Sequence, residues 1–416
     1  MNSLTATTST TAFRNPVHHV KLPKYPFRRV IFCSAGAGGR FPKDHHLNLV
    51  LHNALDSLGA DTVLAREARK GYLDQVGKMT EIEKETSISI NRRVDLAKAA
   101  LHVAAEDDSL VSHSSVALPV DAFISRLDDL SMGYCTSYSS SFRASPEIFL
   151  ESLHNYLFVK KGFRRSNADN QLEPQALYLH SVLTHRSGSA VMLSLVYAEM
   201  LKMLRLWGLL DFDCEIFYPR DLYGLPRGYP KKKSNESDHQ HVMTTQALLE
   251  EILSNLKEAF WPFQHYHSRS LFLSAADYID RLAVSEESAI QLASAKAAQH
   301  RLDRGIWTSV NFGDMRRALS ACERLILLEA NPEELRDYSI LLYHCGFYEE
   351  SLQYIELYRE AKSPTLQRRR RRDKLDELEE SAVEKLTVRL KLLAMEIGWS
   401  KPSNVRNFLG NNSDPW

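Results

Sequence analysis

The segment Ser189 to Leu206 is the most apolar helical stretch in the chain, and it limits the folds open to this sequence. A helix that is apolar on every side must be covered on every side. The wider stretch, Ala190 to Leu210, is interrupted by Glu199, Lys202 and Arg205. A membrane span needs about 20 largely uncharged residues, so this helix is expected at the centre of a soluble core. The chain has 416 residues, 44% of them hydrophobic and 25% charged, which is enough to build such a core without disulfides or metals. Length alone suggests two to three domains of roughly 100–200 residues each. The five cysteines form no CxxC pair, which argues against a zinc ribbon, a redox dithiol or a secreted disulfide framework.

Helical periodicity surrounds this segment. Leu47, Leu51, Leu55 and Leu58 recur at three- and four-residue spacing, and Val63 to Val76 and Arg93 to Glu106 follow the same pattern. Asp107 to Leu118 is polar and is expected to be a loop. Pro119 to Leu130 resumes a helix, and Met132 to Ser141 has no helical period and reads as a surface loop. Ser145, Pro146 and Glu147 supply a cap, a first-turn proline and a first-turn acid for the next helix. Pro174 to Leu183 is a short helix and Thr184 to Gly188 a turn. Phe212 to Tyr218 alternates as a half-buried strand, the one clear strand signal, and Pro219 to Ser237 reads as an exposed loop. Beyond residue 285 helical hairpins are expected. Gly313 to Leu319 recurs as Gly346 to Leu352, 33 residues on, close to the period of about 34 in tetratricopeptide-type repeats. Leu335 stands where that repeat usually carries Trp, and about two units are visible. Units this few cannot bury their own faces and should dock on the preceding domain.

The charge balance, 52 Lys+Arg against 52 Asp+Glu, hides an uneven distribution. Residues 1–43 carry Arg14, Lys21, Lys24, Arg28, Arg29, Arg40 and Lys43 but no acid, and seven of the first eleven residues are Ser or Thr. This is the composition of an organelle transit peptide, with the Ser/Thr richness favouring a chloroplast. The competing reading is a basic arm that touches nucleic acid. Cleavage after Cys33 would remove five positive charges and leave a mature chain of about −5. That balance makes the mature chain a poor candidate for a non-specific phosphate-backbone binder.

Tyr178 to Tyr197, containing Arg186-Ser187-Gly188 ahead of the long apolar helix, resembles the hallmark segment of the bacterial SirB-type proteins. These join an atypical transglutaminase-like domain to C-terminal tetratricopeptide helices. The likeness spans roughly residues 94–362. It implies a mainly α fold of α+β type: a helical transglutaminase-like core with a small sheet, followed by helical hairpins. The implied boundaries are a leader at 1–43, a helical lead-in at 44–140, a degenerate core at 141–284, repeats with a C-terminal helix at 285–398, and a tail at 399–416. In transglutaminase-like enzymes a Cys at the N-terminus of the core helix is the nucleophile, assisted by a His and an Asp on adjacent strands. Here Ala190 stands at the Cys position, Tyr218-Pro219-Arg220 replaces the Gly-His-Phe signature, and the usual Asp-Pro-Phe is absent. The resemblance therefore implies a protein without that catalytic triad, with no catalytic, cofactor or metal residues assigned.

Other chemistry-bearing residues have plainer readings beside the sharp ones. Cys135, in a segment read as loop, and Cys214, on the strand, are the candidates for a thiol acyl-transferase or peptidase; burial as small hydrophobes is the alternative. Cys322 and Cys345 sit at core spacing on repeat helices. His239 with His241 and His265 with His267 have the look of metal pairs, but no Cys, Asp or Glu completes a known spacing. Arg368, Arg369, Arg370, Arg371 and Arg372 form a basic run that could meet RNA, lipid or an acidic partner, or simply open a solvated helix, since acids follow at once. The repeat face is expected to bind a protein partner through Arg316, Arg317, Tyr343, Tyr348 and Tyr354, with Arg368–Arg372 assisting. Neither nucleic acid nor a small-molecule substrate is expected. The location expected is the chloroplast stroma or the stromal thylakoid face.

Overall fold

A computed structural model of the chain describes residues 49–90, 93–112, 116–139, 144–166, 174–219, 224–231, 243–263, 270–282, 302, 313–362 and 374–400. Its elements, in order, are α1 (Leu51–Ser57), α2 (Val63–Val76), α3 (Glu81–Glu85), α4 (Leu96–Ser112), α5 (Val120–Ser137), α6 (Pro146–His154), β1 (Arg164–Arg165), α7 (Pro174–Leu177), α8 (Leu179–His185), β2 (Ser187–Gly188), α9 (Ala190–Leu206), β3 (Cys214–Phe217), β4 (Arg227–Pro230), α10 (Thr245–Phe260), α11 (Leu271–Leu282), α12 (Met315–Leu327), α13 (Glu333–Cys345), α14 (Tyr348–Ala361) and α15 (Lys374–Ser400). The fold is mostly helical with two small two-stranded sheets, as the pattern predicts. No helix among the described residues is long and apolar enough to cross a membrane.

The central helix is α9. Val191, Leu193, Leu195, Val196, Tyr197, Met200, Leu201 and Leu204 are all buried, and α5, α8, α4 and α10 pack around it. Its neighbours form where capping chemistry dictates. The Ser145 hydroxyl accepts from Ile148 N at the start of α6, and the Thr244 hydroxyl accepts from Ala247 N at the start of α10. The last turn of α6 widens into a π-helical stretch, Asn155–Lys160.

Three expectations change. Asp107–Ser112 is helical, because Asp107 and Leu110 face inward and extend α4 by more than a turn beyond Glu106. Met132–Ser137 also continues as helix, because Ser131 and Tyr134 are buried and Tyr134 stacks on Tyr138 at 5.4 Å. Within the expected Pro219–Ser237 loop, Arg227–Pro230 forms β4, pairing antiparallel with β3 from Cys214↔Pro230 to Phe217↔Arg227. Here Gly228 admits the Tyr197 hydroxyl, which a Cβ would meet at 2.9 Å. Pairing against a buried strand outweighs the weak strand propensity of Gly and Pro.

Two apolar clusters organise the interior. One is built on α9 and includes Tyr72, α4, α5, α6 and α10. The other is built on α12–α14 and also takes in Leu51 and Leu55 of α1, Phe272 and Ile279 of α11, and Val383, Leu386 and Leu390 of α15. The first helix in sequence thus belongs to the cluster of the last ones. Helices α13 and α14 pack across Gly346, with Tyr338 edge-on to Tyr354 at 4.8 Å. The two glycines 33 residues apart both have positive φ, +76° at Gly313 and +85° at Gly346. Gly346 closes α13 as its left-handed cap, whereas Gly313 lies so close to Trp261 and Pro262 that a Cβ would meet backbone at 2.5 Å.

Candidate functional site

The start of α9 is the position to which the resemblance points for a nucleophile. Ala190 is 4% exposed there. The preceding Ser189 caps the helix: its hydroxyl accepts from Met192 N, and its own N–H donates to Ala176 O at 2.9 Å. Gly188 is held on β2 by pairing with Arg165, and Ser166 N donates to Gly188 O at 3.0 Å. A Cβ on Gly188 would meet Val182 at 2.8 Å. The positive end of α9 is therefore closed by the chain's own groups, and its hydroxyl is occupied in capping. The strand that follows offers no imidazole. Cys214 and Ile216 are buried, and Glu215 accepts from the Tyr229 hydroxyl at 2.8 Å and pairs with Lys231 at 2.9 Å.

The thiols lie elsewhere, and those with a shifted ionisation are shifted away from reactivity. Cys135 is half-buried on α5 rather than in an exposed loop, and burial pushes its thiol up. Burial pushes Cys214 up to about 11 against the opposing pull of Arg205, and raises Cys322 well above the ordinary value. Cys345 is buried on α13. An activated thiolate needs the reverse, a partly exposed electropositive setting. The imidazoles of His180 and His154 are each held below the ordinary value by burial; His180 lies against Phe123 and Tyr178, and His154 against Phe158.

The proposed partner face does not hold together as a surface. Arg316 is 2% exposed, donating from Nε to Leu302 O at 2.8 Å and from Nη1 to Leu110 O at 2.6 Å. Tyr354 is 0% exposed against Tyr338. Both are structural: their positions on the helices turn them toward α4 and α13, so neither presents a group to a partner. Arg317 is half-buried, its guanidinium 4.6 Å over the Phe260 ring and 3.5 Å from Asp314. Tyr343 and Tyr348 are half-buried together at 5.4 Å, with Arg389 of α15 over Tyr343 at 5.9 Å. Arg368–Arg372, the four candidate metal histidines (His239, His241, His265, His267) and the 1–43 leader lie outside the described residues.

What the hairpins do contribute is a buried ionic clasp. Arg69 of α2 grips Glu106 of α4 through Nε and Nη2 and reaches Glu323 of α12 at 3.0 Å. Glu106 also accepts from the Ser320 hydroxyl at 2.8 Å and from Arg324 at 3.3 Å. Arg324 holds Asp107 at 2.8 Å, whose other oxygen accepts from the Tyr178 hydroxyl at 2.7 Å. Glu323 accepts from Leu51 N at 3.0 Å and from the Tyr338 hydroxyl at 2.6 Å. Burial alone would raise the Glu106 carboxyl, but Arg69 and Arg324 outweigh it and hold it well below the usual carboxylate range. A second set joins α10 to α13 and α15: Lys257 with Glu334 at 2.6 Å and Asp337 at 2.9 Å, and Arg336 with Glu379 at 2.7 Å. Sequence reading missed the clasp. Its only signal was charged residues, Glu323 and Arg324, at core spacing between Cys322 and Leu325.

A profile of the transglutaminase-like superfamily matches residues 121–207, the span from α5 through α9. No curated protein and no solved structure matches the chain. The matched span contains the capped start of α9 with Ser189 and Ala190 and all of the helices that enclose it except α4 and α10. The chain thus carries a segment similar to the transglutaminase-like core, in which the residue beginning the central helix has no nucleophilic atom.

Proposed function

We propose that this is a non-catalytic binding or assembly protein of the chloroplast stroma or stromal thylakoid face, built on a SirB-type transglutaminase-like core with tetratricopeptide-type hairpins. The observation that carries the reading is Ala190 at the buried start of α9, with Ser189 engaged as a cap. The upward-shifted thiols of Cys135, Cys214 and Cys322 support it. The acid-free, Ser/Thr-rich leader supports the location, and the paired positive-φ glycines support the repeat assignment.

Alkylation of the purified chain between about pH 5.5 and 8.5, read per cysteine by peptide mass, tests the activity reading. Slow labelling of every thiol at pH 6 is expected. One cysteine reacting strongly at pH 6 would overturn it in favour of a thiol acyl-transferase or peptidase. For the location, residues 1–43 fused to a fluorescent reporter should enter isolated chloroplasts; a reporter left outside overturns that part.

A further inference from the structure

Among the described residues, buried Arg69, Arg324, Arg336 and Lys257 are matched with acids, whereas one cluster of exposed cations is not. Arg126, Lys160, Arg164 and Arg186 are exposed, and Lys161 is half-exposed beside them. The backbone ties them into one patch. Arg164 N donates to Arg186 O at 2.9 Å, and the Arg186 guanidinium donates to Lys161 O at 3.0 Å. Arg126 donates to Leu183 O at 3.2 Å and to the Thr184 hydroxyl at 3.3 Å, on the turn leading into Arg186. Lys160 and Lys161 lie over the rings of Tyr138 and Tyr156, at 5.5 Å and 5.3 Å. Among the described residues, none of the five lies within ion-pair distance of a carboxylate, unlike Arg69, Arg324, Arg336 and Lys257.

Two of the arms, Arg126 and Arg186, are also braced by hydrogen bonds. Arg186 caps α8 in the left-handed conformation, with φ of 56°, a region that strains a residue carrying a side chain. Guanidiniums braced on carbonyls lose less entropy on binding than free arms do. Their planar forks suit carboxylates taken two oxygens at a time.

We propose that this patch, at the end of α8 and beside β1, docks an acidic segment of a partner protein, one rich in Asp and Glu. The proposal rests on the binding-protein reading and gives it a surface and a partner chemistry. Fixed spacing favours an ordered chain of carboxylates over a fluid lipid surface. Tyr156 is buried and Tyr138 half-buried beneath the lysines, so neither offers an open ring face for base stacking. A second copy presenting the exposed acids Asp376, Glu377 and Glu384 of α15 would make a head-to-tail contact, which builds rings or filaments that sedimentation would detect.

The test is fluorescence anisotropy of the full chain with a labelled Asp/Glu-rich peptide at rising salt. Binding should weaken with salt, and the double variant Arg164→Glu/Arg186→Glu should weaken it at least about tenfold. Lys160→Glu/Lys161→Glu, which leaves the β1–β2 turn intact, should act in the same direction. A charge-matched control, Lys70→Glu/Arg359→Glu on α2 and α14, should change affinity less than about twofold. No binding by the unmodified chain, or equal loss in the control, overturns the proposal. So does tighter binding of single-stranded RNA or phosphatidylglycerol vesicles through the same residues, or self-association in sedimentation that the variants abolish. If the thiols stay inert while peptide binding fails, the patch assignment falls and the binding-protein reading stands. An activated thiol removes that reading whatever the peptide does.

Discussion

Arg324 and Arg186 carry the same guanidinium, one where α4 meets α12 and the other at the end of α8. Arg324 is fully buried between Glu106 and Asp107, whereas Arg186 is exposed and its guanidinium donates to the carbonyl of Lys161. The difference separates two uses of charge. In the clasp each cation has its acid, because an uncompensated buried charge costs several kcal/mol, while buried Arg316 is held by the carbonyls of Leu302 and Leu110. At the surface water supplies that stabilisation, so a cation left without an acid costs little and remains open to a partner. The clasp holds the molecule together, and the patch leaves it something to bind with.

The comparison breaks first in the interior if it is wrong. Glu106→Gln leaves Arg69 and Arg324 short of a counter-charge and should lower stability by about 3–5 kcal/mol, read as a fall in the urea midpoint; a loss below about 1 kcal/mol would show that the clasp is not tight. Next is the turn that sets the patch. Gly188→Ala pushes a methyl into Val182 and should lose about 1–3 kcal/mol, with altered protection of the Arg164–Arg186 pairing in hydrogen exchange. Unchanged stability would mean that Val182 yields.

Asp314, the cap of α12, sits between the two cases. Burial raises its carboxyl to about 6 despite the opposing pull of Arg317. The unfolded chain ionises this group near its ordinary 3.8, so the native state holds the extra proton between these values. Its stabilising contribution is present below about pH 4 and is lost as pH rises to about 6. Asp314→Asn keeps a cap-forming side chain and should flatten that part of the stability profile, raising stability above pH 6 by on the order of 1–2 kcal/mol. A profile that keeps its slope between pH 4 and 6 would assign the titration elsewhere. The smallest effect belongs to the surface: Arg164→Glu/Arg186→Glu should change stability in urea unfolding by no more than about 0.5 kcal/mol, and a larger loss would make the patch structural.

Local chemistry was legible in the sequence; pairing at a distance was not. The Ser145 cap, the α9 core run and a strand at β3 are read from neighbouring residues, and the structure has all three, although Glu215 is buried with Cys214 and Ile216 while Phe217 is exposed, so the expected alternation is not kept. Helix α5 outran its predicted end because Tyr134 gains a buried place against Phe149 and Tyr156, which no local window contains. β4 was hidden because its reason is β3. Ala190 at the first position of α9 could be read from the sequence, and the structure places it there, buried. The partner face could not, because repeat spacing indicates which residues are periodic without indicating which side is covered. Arg316 and Tyr354 point inward, and the sequence marks Arg186 as part of a turn and of the family-like segment without marking it as a surface cation.

The clasp also imposes an order of assembly. Arg69 waits for Glu323, 254 positions later in the chain, and Leu51 N waits for the same carboxylate across 272 positions. During synthesis α2 and α4 emerge long before α12 exists, so Arg69 and Glu106 can pair with each other while Glu323 and Arg324 are still to come. Closure over so long a loop is slow, and until it happens the apolar faces of α1 and α4 stay open to water and to other chains. A nascent chain of this kind relies on its last helices to finish the folding of its first.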